Sequence, residues 1–547
     1  MGNVLARKRN VGFALREEAV EGTLIAEEAA SACAIRVDGF ESPTLTPALL
    51  DEGYITASLS KTAPVIGRYE DVGYTLPVFA RGKGTLTYPD WHVAMKSVMG
   101  LATTEDTDVV GADPNTSIFD VTDGAKFTEG QLILVNVTGY GLALSRVVDI
   151  ATNQLTIWPP LPVTPTAGDV VYAGQNWMLS SLAWPTFSSY FHFDGPKQVQ
   201  LAGCRSTALK MTFEVGQRVT MDFTVKALTP VRNNTARGVT PTLDVTTKPP
   251  TCLGMTIDMT YNAVAKGTPT VTQTVLTAPP FGVATTGDYL LADVGSLAVG
   301  VAVTFTNATD ILNAVAHGLV NGDRVKLVNS GGALPAGLSS AVRYYVVNKH
   351  DDDFQIALTL GGSAVLFTDD GTGTHTFQKW TKNSGNYQTV AITNAVGNSG
   401  ADTTLTHATL ASPVDVGDTV YVSRQRCAGV GDMLEINVEL TQEMLGCMQA
   451  ANGYSGSEIT DRDVTVTKSP WFDSWQEFDM LDGLVSAELR LVLGSTLTNI
   501  FTVMLPNLIN REVALTSDDL IKVDATAQAV TDTRFLGNNH EIVIATF

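Results

Sequence analysis

The segment Ala208–Leu228 reads ALKMTFEVGQRVTMDFTVKAL, and its alternation decides the class of fold. Leu209, Met211, Phe213 and Val215 share one face of an extended strand, and after Gly216-Gln217 the pattern resumes with Val219, Met221, Phe223 and Val225. A period of two on both sides of a short glycine-containing turn is the signature of a half-buried β-hairpin. DMLEINVEL (Asp432–Leu440), SAELRLVLG (Ser486–Gly494) and the terminal HEIVIATF alternate in the same way. With 48 glycines in 547 residues and 44% hydrophobic residues, the chain reads as mainly β with many turns. It is long enough for several domains and for a core that needs neither metal nor disulfide.

Two short segments carry helix signals. In PDWHVAMKSVMG, Pro89 suits a first helical turn, Asp90 favours the positive end of the dipole, Trp91, Met95 and Val98 share a face, and Gly100 can cap the C-terminus. In SWQEFDMLDG, Ser474 and Glu477 make a capping-box pattern, Trp475, Phe478 and Leu481 form the apolar side, and Gly483 ends it. Each follows a strand-like stretch, so the two halves of the chain rhyme.

A second rhyme pairs Gly124–Gly174 with Gly295–Ser423. Leu155 leads to Gly168-Asp169 and a strand containing Tyr172; Leu405 leads to Gly417-Asp418 and a strand containing Tyr421. Such self-similarity predicts two copies of a small β-module inserted into two core halves. A further unit, His317–Phe377, has short strands and regularly spaced Gly-Asp, Gly-Gly and Asp-Asp-Gly turns, and reads as a compact β-unit nested in the second insertion. The expected organisation is an extended N-terminal arm, 1–30; a first core half, 31–111 and 175–240; an inserted module, 112–174; a second core half, 241–284 and 425–547; a second inserted module, 285–305 and 380–424; and the nested module, 306–379.

Chemical motifs fail one by one. Arg81-Gly82-Lys83-Gly84 has the look of a phosphate loop, but a Walker motif would need Gly where Pro77 stands and Ser or Thr where Gly84 stands. Gly453–Ser457, GYSGS, misses the nucleophile elbow because its last glycine comes one place early. The seven histidines show no metal-binding spacing, and HDDDF (His350–Phe354) lacks the glycine and spacing of a calcium loop. Glu435 and Glu439 share a strand face without the marks of an acid/base pair. The five cysteines are scattered and encode neither a disulfide framework nor a zinc site. No enzyme, cofactor or metal site is expected.

The balance of 35 Lys and Arg against 56 Asp and Glu, a formal charge of −21, argues against a face that grips nucleic acid. The basic N-terminus, MGNVLARKRNVGFALREE, lacks the long apolar stretch and small-residue cleavage site of a leader. Met1-Gly2 opens like an acylation site, but Ala6 stands where Ser or Thr is wanted. No apolar run of about 18 residues occurs, so no membrane association is expected, and the chain reads as made in a reducing cytoplasm.

Two stretches of the first half, LPVFARGKGTLTYPDWHVAMKSVMG and FHFDGPKQVQLAGCRSTALKMTFEVGQRVTMDFTVKAL, resemble the N-terminal half of the long tail tube (major tail) proteins of tailed bacteriophages. LEINVELTQEMLGCMQAANGYSGSEITDRDVTVTKSPWF, AELRLVLGS, NIFTVMLPNLI and DLIKVDATAQAV are similar to the second half of that family, and the nested unit resembles small β-modules inserted in phage structural proteins. The resemblance implies a β-sandwich or barrel core with flanking helices, stacked as rings around a channel for DNA ejection, with the inserts outside. The paired rhymes suggest a duplicated core. Three subunits would then give a pseudo-sixfold ring; a single core would call for six. Implied partners are other copies of the chain, other tail proteins at the tube ends, and double-stranded DNA that passes without specific binding. The implied location is the virion tail, after assembly in the host bacterial cytoplasm.

A carboxylate-lined lumen would repel DNA phosphates, and Glu435, Glu439 and Glu443, which share strand parity, are the candidates for it. Arg81 and Lys83 are candidates for contact with carboxylates of a neighbouring subunit. The N-terminal arm is expected to order only in ring-to-ring contact, so that its deletion leaves soluble subunits that do not polymerise. The competing reading is a β-rich adhesin or carbohydrate-binding protein, which would need a cluster of exposed aromatic side chains; Trp158, Trp177 and Trp184 are dispersed in sequence.

Overall fold

The computed structural model describes residues 12–27, 35–37, 39, 42–50, 65–84, 86–112, 114–193, 197–234, 247–264, 275–278, 289–293, 296–340, 342–359, 361–381, 387–396, 403–408, 419–425, 431–450, 453–472, 476–483, 486–517, 521–532 and 539–547. The fold is mainly β. The first half begins with β1 (Gly12–Glu17), β2 (Thr44–Leu50), β3 (Val65–Phe79), α1 (His92–Met99) and β4 (Gly100–Ala102). A module follows, made of β5 (Asp106–Val109), β6 (Ile118–Asp120), β7 (Leu132–Val137), β8 (Gly141–Ala151), β9 (Gln154–Trp158) and β10 (Val170–Ala173). The half closes with β11 (Gln175–Leu179), β12 (Phe187–Phe193), β13 (Lys197–Glu214), β14 (Thr220–Lys226) and β15 (Thr229–Asn233).

The second half opens with β16 (Thr256–Val264), β17 (Val275–Ala278) and β18 (Tyr289–Asp293). The nested unit contributes β19 (Ser296–Leu297), β20 (Val301–Thr306), β21 (Ile311–Asn313), β22 (Arg324–Ser330), β23 (Arg343–Val347), β24 (Asp353–Ala357) and β25 (Thr374–Thr381). Then come β26 (Tyr387–Val396), β27 (Thr403–His407), β28 (Thr419–Gln425), β29 (Met433–Gly446), β30 (Tyr454–Lys468), α2 (Gln476–Gly483), β31 (Ala487–Leu493), β32 (Phe501–Ser517), β33 (Ile521–Ala529) and β34 (Val543–Thr546).

The core is an internal duplication that can be followed residue by residue. In the first half β2 pairs β3, β3 pairs β14, β14 pairs β13, β13 pairs β12 and β15, and β12 pairs β1. In the second, β29, β30, β33, β32, β31, β34 and β16 repeat those connections in that order. The irregularities coincide too. The β13–β14 ladder skips Thr207 and the β32–β33 ladder skips Arg511, while β12 and β31 each slip where Phe187 faces Cys204 and Ala487 faces Leu508. Bulges fix local twist, so matching bulges give the two halves matching twist. Both halves also send a helix off the end of their long hairpin, α1 after β3 and α2 after β30.

The halves join where Ala208–Glu214 of β13 pairs Met433–Glu439 of β29. The result is one antiparallel sheet in the order β2-β3-β14-β13-β29-β30-β33-β32. Its inner face carries the alternating apolar residues, among them Leu209, Met211, Phe223, Ile436, Val438 and Val466, all at 2% exposure or less. Trp91, Met95 and Val98 of the α1 segment pack into the same core. Helix α1 begins at His92, later than the sequence predicts, because Pro89 and Asp90 are spent on the turn that precedes it; Gly100 does cap it, at φ +92°, donating to the Lys96 carbonyl. The predicted Ser474 cap lies outside the described residues.

The modules hold more symmetry than the sequence disclosed. The first runs β5-β10-β7-β8-β9-β6 and curls shut through the Val110–Val121 bridge. The nested unit runs β20-β25-β22-β23-β24-β21, and β21 returns to β20, giving a closed six-stranded barrel. The second module runs β16-β28-β18-β26-β27-β17. Numbered within each unit, all three have the strand order 1-6-3-4-5-2. Leu155 and Leu405 sit in the fifth strand of their units, Tyr172 and Tyr421 in the sixth, as the rhyme required. The nested barrel is a third copy, which the sequence reading treated as a separate unit. Gly130 donates to Val147 and Val147 to Gln131; Gly322 donates to Val346 and Val346 to Asp323.

Several boundaries move as a result. The first module starts at Asp106, the nested barrel takes in Val301–Thr306 and Thr374–Thr381, and the second module borrows its first strand from the core, since β16 pairs both β28 and β31. The expected arm over 1–30 is corrected within 12–27, while 1–11 and 28–30 lie outside the described residues. Gly12–Glu17 is a core strand on β12; Phe13 and Leu15 are buried, and Phe13 meets Phe191 and Tyr74 edge-on at 4.8 and 5.7 Å. Beyond it the Glu18 carboxylate accepts from Gly22, Thr186, Ser188 and Gly203. The charges of LREE masked a strand whose inward positions are apolar. Leu15→Ala should therefore lower stability in urea unfolding by about 2–5 kcal/mol; a change below about 0.5 kcal/mol, typical of a surface site, would return this segment to the status of an arm.

Candidate functional site

The outer face of the eight-strand sheet is mostly polar, with Pro77 and Phe79 of β3 and the exposed Met433 of β29 as apolar exceptions. Threonines dominate it, with Thr44 and Thr46 on β2, Thr220 and Thr224 on β14, Thr212 on β13 and Thr465 and Thr467 on β30. Among them stand the carboxylates of Asp222, Glu435, Glu439, Asp463, Asp524 and Glu512, with Lys210, Lys226, Lys522 and Arg511 as cations on the same face. The predicted trio does share a face. Glu435 is half-buried and reaches Lys210 at 2.9 Å, Glu439 is exposed, and Glu443 is exposed on the part of β29 that runs past the end of the β13 ladder. Sequence reasoning missed Asp222, Asp463 and Asp524. The signal was present in TMDFTVK, ITDRDVTVTK and IKVDATAQA, where each acid alternates with apolar residues, but the order of strands was needed to bring them together.

On this face carboxylates stand opposite carboxylates at two places. Glu439 lies directly across from Asp463, whose carboxylate accepts from the Gln528 side-chain amide at 2.9 Å, and Glu443 lies across from Glu458, whose charge also acts on the Arg205 guanidinium. Like charges opposed across an antiparallel pair destabilise it. Both outer edges of the sheet, that of β2 and that of β32 beyond Asn510, have no strand beside them among the described residues.

Arg81 and Lys83 are placed otherwise than expected. The Arg81 guanidinium is 4% exposed and grips Asp90 of its own chain through two nitrogens, one bond being 3.1 Å, while its carbonyl accepts the Trp91 indole N–H at 3.1 Å. Asp90 also accepts from the Arg36 backbone at 3.2 Å. Lys83 pairs with Glu105, again within the chain. The proposed contact with a neighbour is thus replaced, for Arg81, by a buried internal clamp that ties the end of β3 to the start of α1. The glycines of RGKG do serve close passage: a Cβ on Gly82 would collide with the Thr498 carbonyl, and Gly84, at φ +59°, donates to that same carbonyl at 3.3 Å.

His92, the first helical residue, is packed under Tyr88 at 4.4 Å, and its Nδ1 accepts the Trp177 indole N–H at 3.2 Å. Burial, followed by the nearby Lys96 charge, lowers its pKa to about 4. The remaining histidines offer no cluster: His350 pairs with Asp353 at 2.9 Å on an exposed turn, and among the described residues no group of three or more His, Cys, Asp or Glu is arranged to hold a metal. Trp158 and Trp177 point inward at 0% exposure, and Trp184 packs partly buried against the core. No helix among the described residues is long and apolar enough to cross a membrane.

Two outcomes follow from this geometry. A histidine whose folded pKa lies below its unfolded value takes up its proton in the unfolded chain first, so stability is intact above pH 6.5 and falls as pH drops toward 4. His92→Gln should flatten that fall by up to about 3 kcal/mol in urea titrations between pH 7 and 4.5; equal slopes would show that His92 protonates freely in the fold. Glu439→Thr should stabilise the protein by about 0.2–1 kcal/mol at low salt, a gain that fades at high salt; destabilisation would mean that the carboxylate has a partner. No protein-family model and no curated protein sequence matches the chain.

Proposed function

We propose that the chain is a structural subunit that polymerises into a tube, the tail tube of a tailed bacteriophage, whose channel carries double-stranded DNA during ejection. The observation that carries this reading is the eight-strand sheet: two equivalent halves in one continuous surface, acidic and threonine-rich on one side, with an unpaired strand at each end among the described residues. A sheet of this kind can continue from copy to copy, and closure into a ring removes the open edges. Two repeats per chain support a ring of three subunits with pseudo-sixfold symmetry.

The electrostatics fit a passage rather than a grip. Phosphate affinity comes from clustered cations whose binding releases counterions, whereas carboxylates along a wall repel phosphate and let the duplex slide. Glu435, Glu439 and Glu443, with Asp222 and Asp463, would face the lumen; the barrel modules would stand outside it. Other tail proteins would cap the tube ends, in a virion assembled in the bacterial cytoplasm.

Negative-stain microscopy of purified protein should show rings or tubes, and a strictly monomeric protein at high concentration would sink the proposal. The combined variant Asp222→Lys, Glu439→Lys and Asp463→Lys should still assemble but should retain double-stranded DNA in a salt-dependent way, while the parent retains none at about 0.15 M salt. Equal DNA retention by parent and variant would remove this face from the lumen.

A further inference from the structure

The duplication specifies which edges of two copies meet, and in what register. Inside one chain, β13 of the first half pairs β29, the first strand of the second half's hairpin. The counterpart of β13 is β32 and the counterpart of β29 is β2, and these are the two strands left open. Aligning the bulges at Thr207 and Arg511 makes Lys210 equivalent to Ala514, and following the ladders through β14 and β33 makes Asn437 equivalent to Thr44. Lys210 faces Asn437 within the chain.

We infer that β32 of one copy pairs antiparallel with β2 of the next, Ala514 facing Thr44, Val513 facing Leu45 and Glu512 facing Thr46, so that the partner of each free edge is a second copy of this chain. This rests on the tube reading only in requiring that copies meet. Burial supports it independently. Met211 is fully buried beneath the β13–β29 joint, but its counterpart Leu515 is 44% exposed at the open edge. A large apolar residue on the inner parity of a bare strand marks a missing neighbour. The proline on β2 agrees as well: Pro47, which has no amide hydrogen to give, follows Thr46, the counterpart of Glu439, where the internal ladder stops. Because the two edges differ, the contact is head-to-tail, and copies can propagate round until the last β32 meets the first β2.

The test is a cysteine pair at facing positions. Thr44→Cys with Ala514→Cys, both exposed sites in a single chain, should give disulfide-linked multimers under mild oxidation, about tenfold more than either single variant, because pairing raises the local concentration of the two thiols. Thr46→Cys with Glu512→Cys should behave alike. Unfolding midpoints close to the parent's confirm that the variants are folded, and microscopy of the same samples separates the claims. Rings or tubes without the cross-link overturn this register and leave the tube reading standing; monomers without the cross-link overturn both.

Discussion

The backbone ladder between Ala208–Glu214 and Met433–Glu439 is the joint on which the other features depend. Each of its hydrogen bonds contributes only about 0.5–1.5 kcal/mol net, so the ladder is not held by bonding alone. It is held because Leu209, Met211 and Phe213 share an inner face with Leu434, Ile436 and Val438, and a slip of one residue would turn that whole set out to water. Register, burial and the polarity of the opposite face are therefore one constraint. Acids and threonines gather on a single surface because the apolar residues leave them no other side.

That surface is kept at some expense. Glu439 opposite Asp463 and Glu443 opposite Glu458 weaken a ladder that threonine pairs would strengthen. Elsewhere the same chain neutralises its charges with care: Arg81 on Asp90, Lys468 on Glu477 at 2.8 Å, and Arg146 of the first module on Asp532 of the core, both fully buried. Removing one member of such a buried pair costs about 3–5 kcal/mol. The outer face mixes pairs such as Lys210 on Glu435 with opposed carboxylates, whereas the inner charges are paired, and Trp158, donating to Glu488 at 2.8 Å and packing edge-on against Tyr421, extends the inner network across both modules.

Much of this was legible in the sequence, for identifiable reasons. Strands with a strict period of two, such as Ala208–Glu214 and Asp432–Leu440, announce both their conformation and their buried face. The capped helix at Trp91 and the repeat ending in Tyr172 and Tyr421 were legible because glycines and aromatics mark turns and strand ends. What could not be read was what only pairing order decides. Arg81 looked like a free cation because its partner, nine residues on, is brought round by a turn. Phe13 and Leu15 were hidden among charges that face solvent. The third barrel escaped notice because its resemblance to the first lies in the hydrogen bonds around Gly130 and Gly322 rather than in matching side chains.

The nested barrel enters and leaves the second module between β18 and β26, where Asp293 and Tyr387 lie opposite one another on neighbouring strands. The first module spans the same place with the short turn Thr138–Tyr140. Two solutions at one point, a tight reversal and an entire domain, mean that the host barrel is indifferent to what is threaded there so long as the two ends return about 5 Å apart. Closing a longer loop adds only slowly to the entropy of folding. The site is a socket, and a cargo domain with adjacent termini could be grafted into either module without redesigning the wall that bears it.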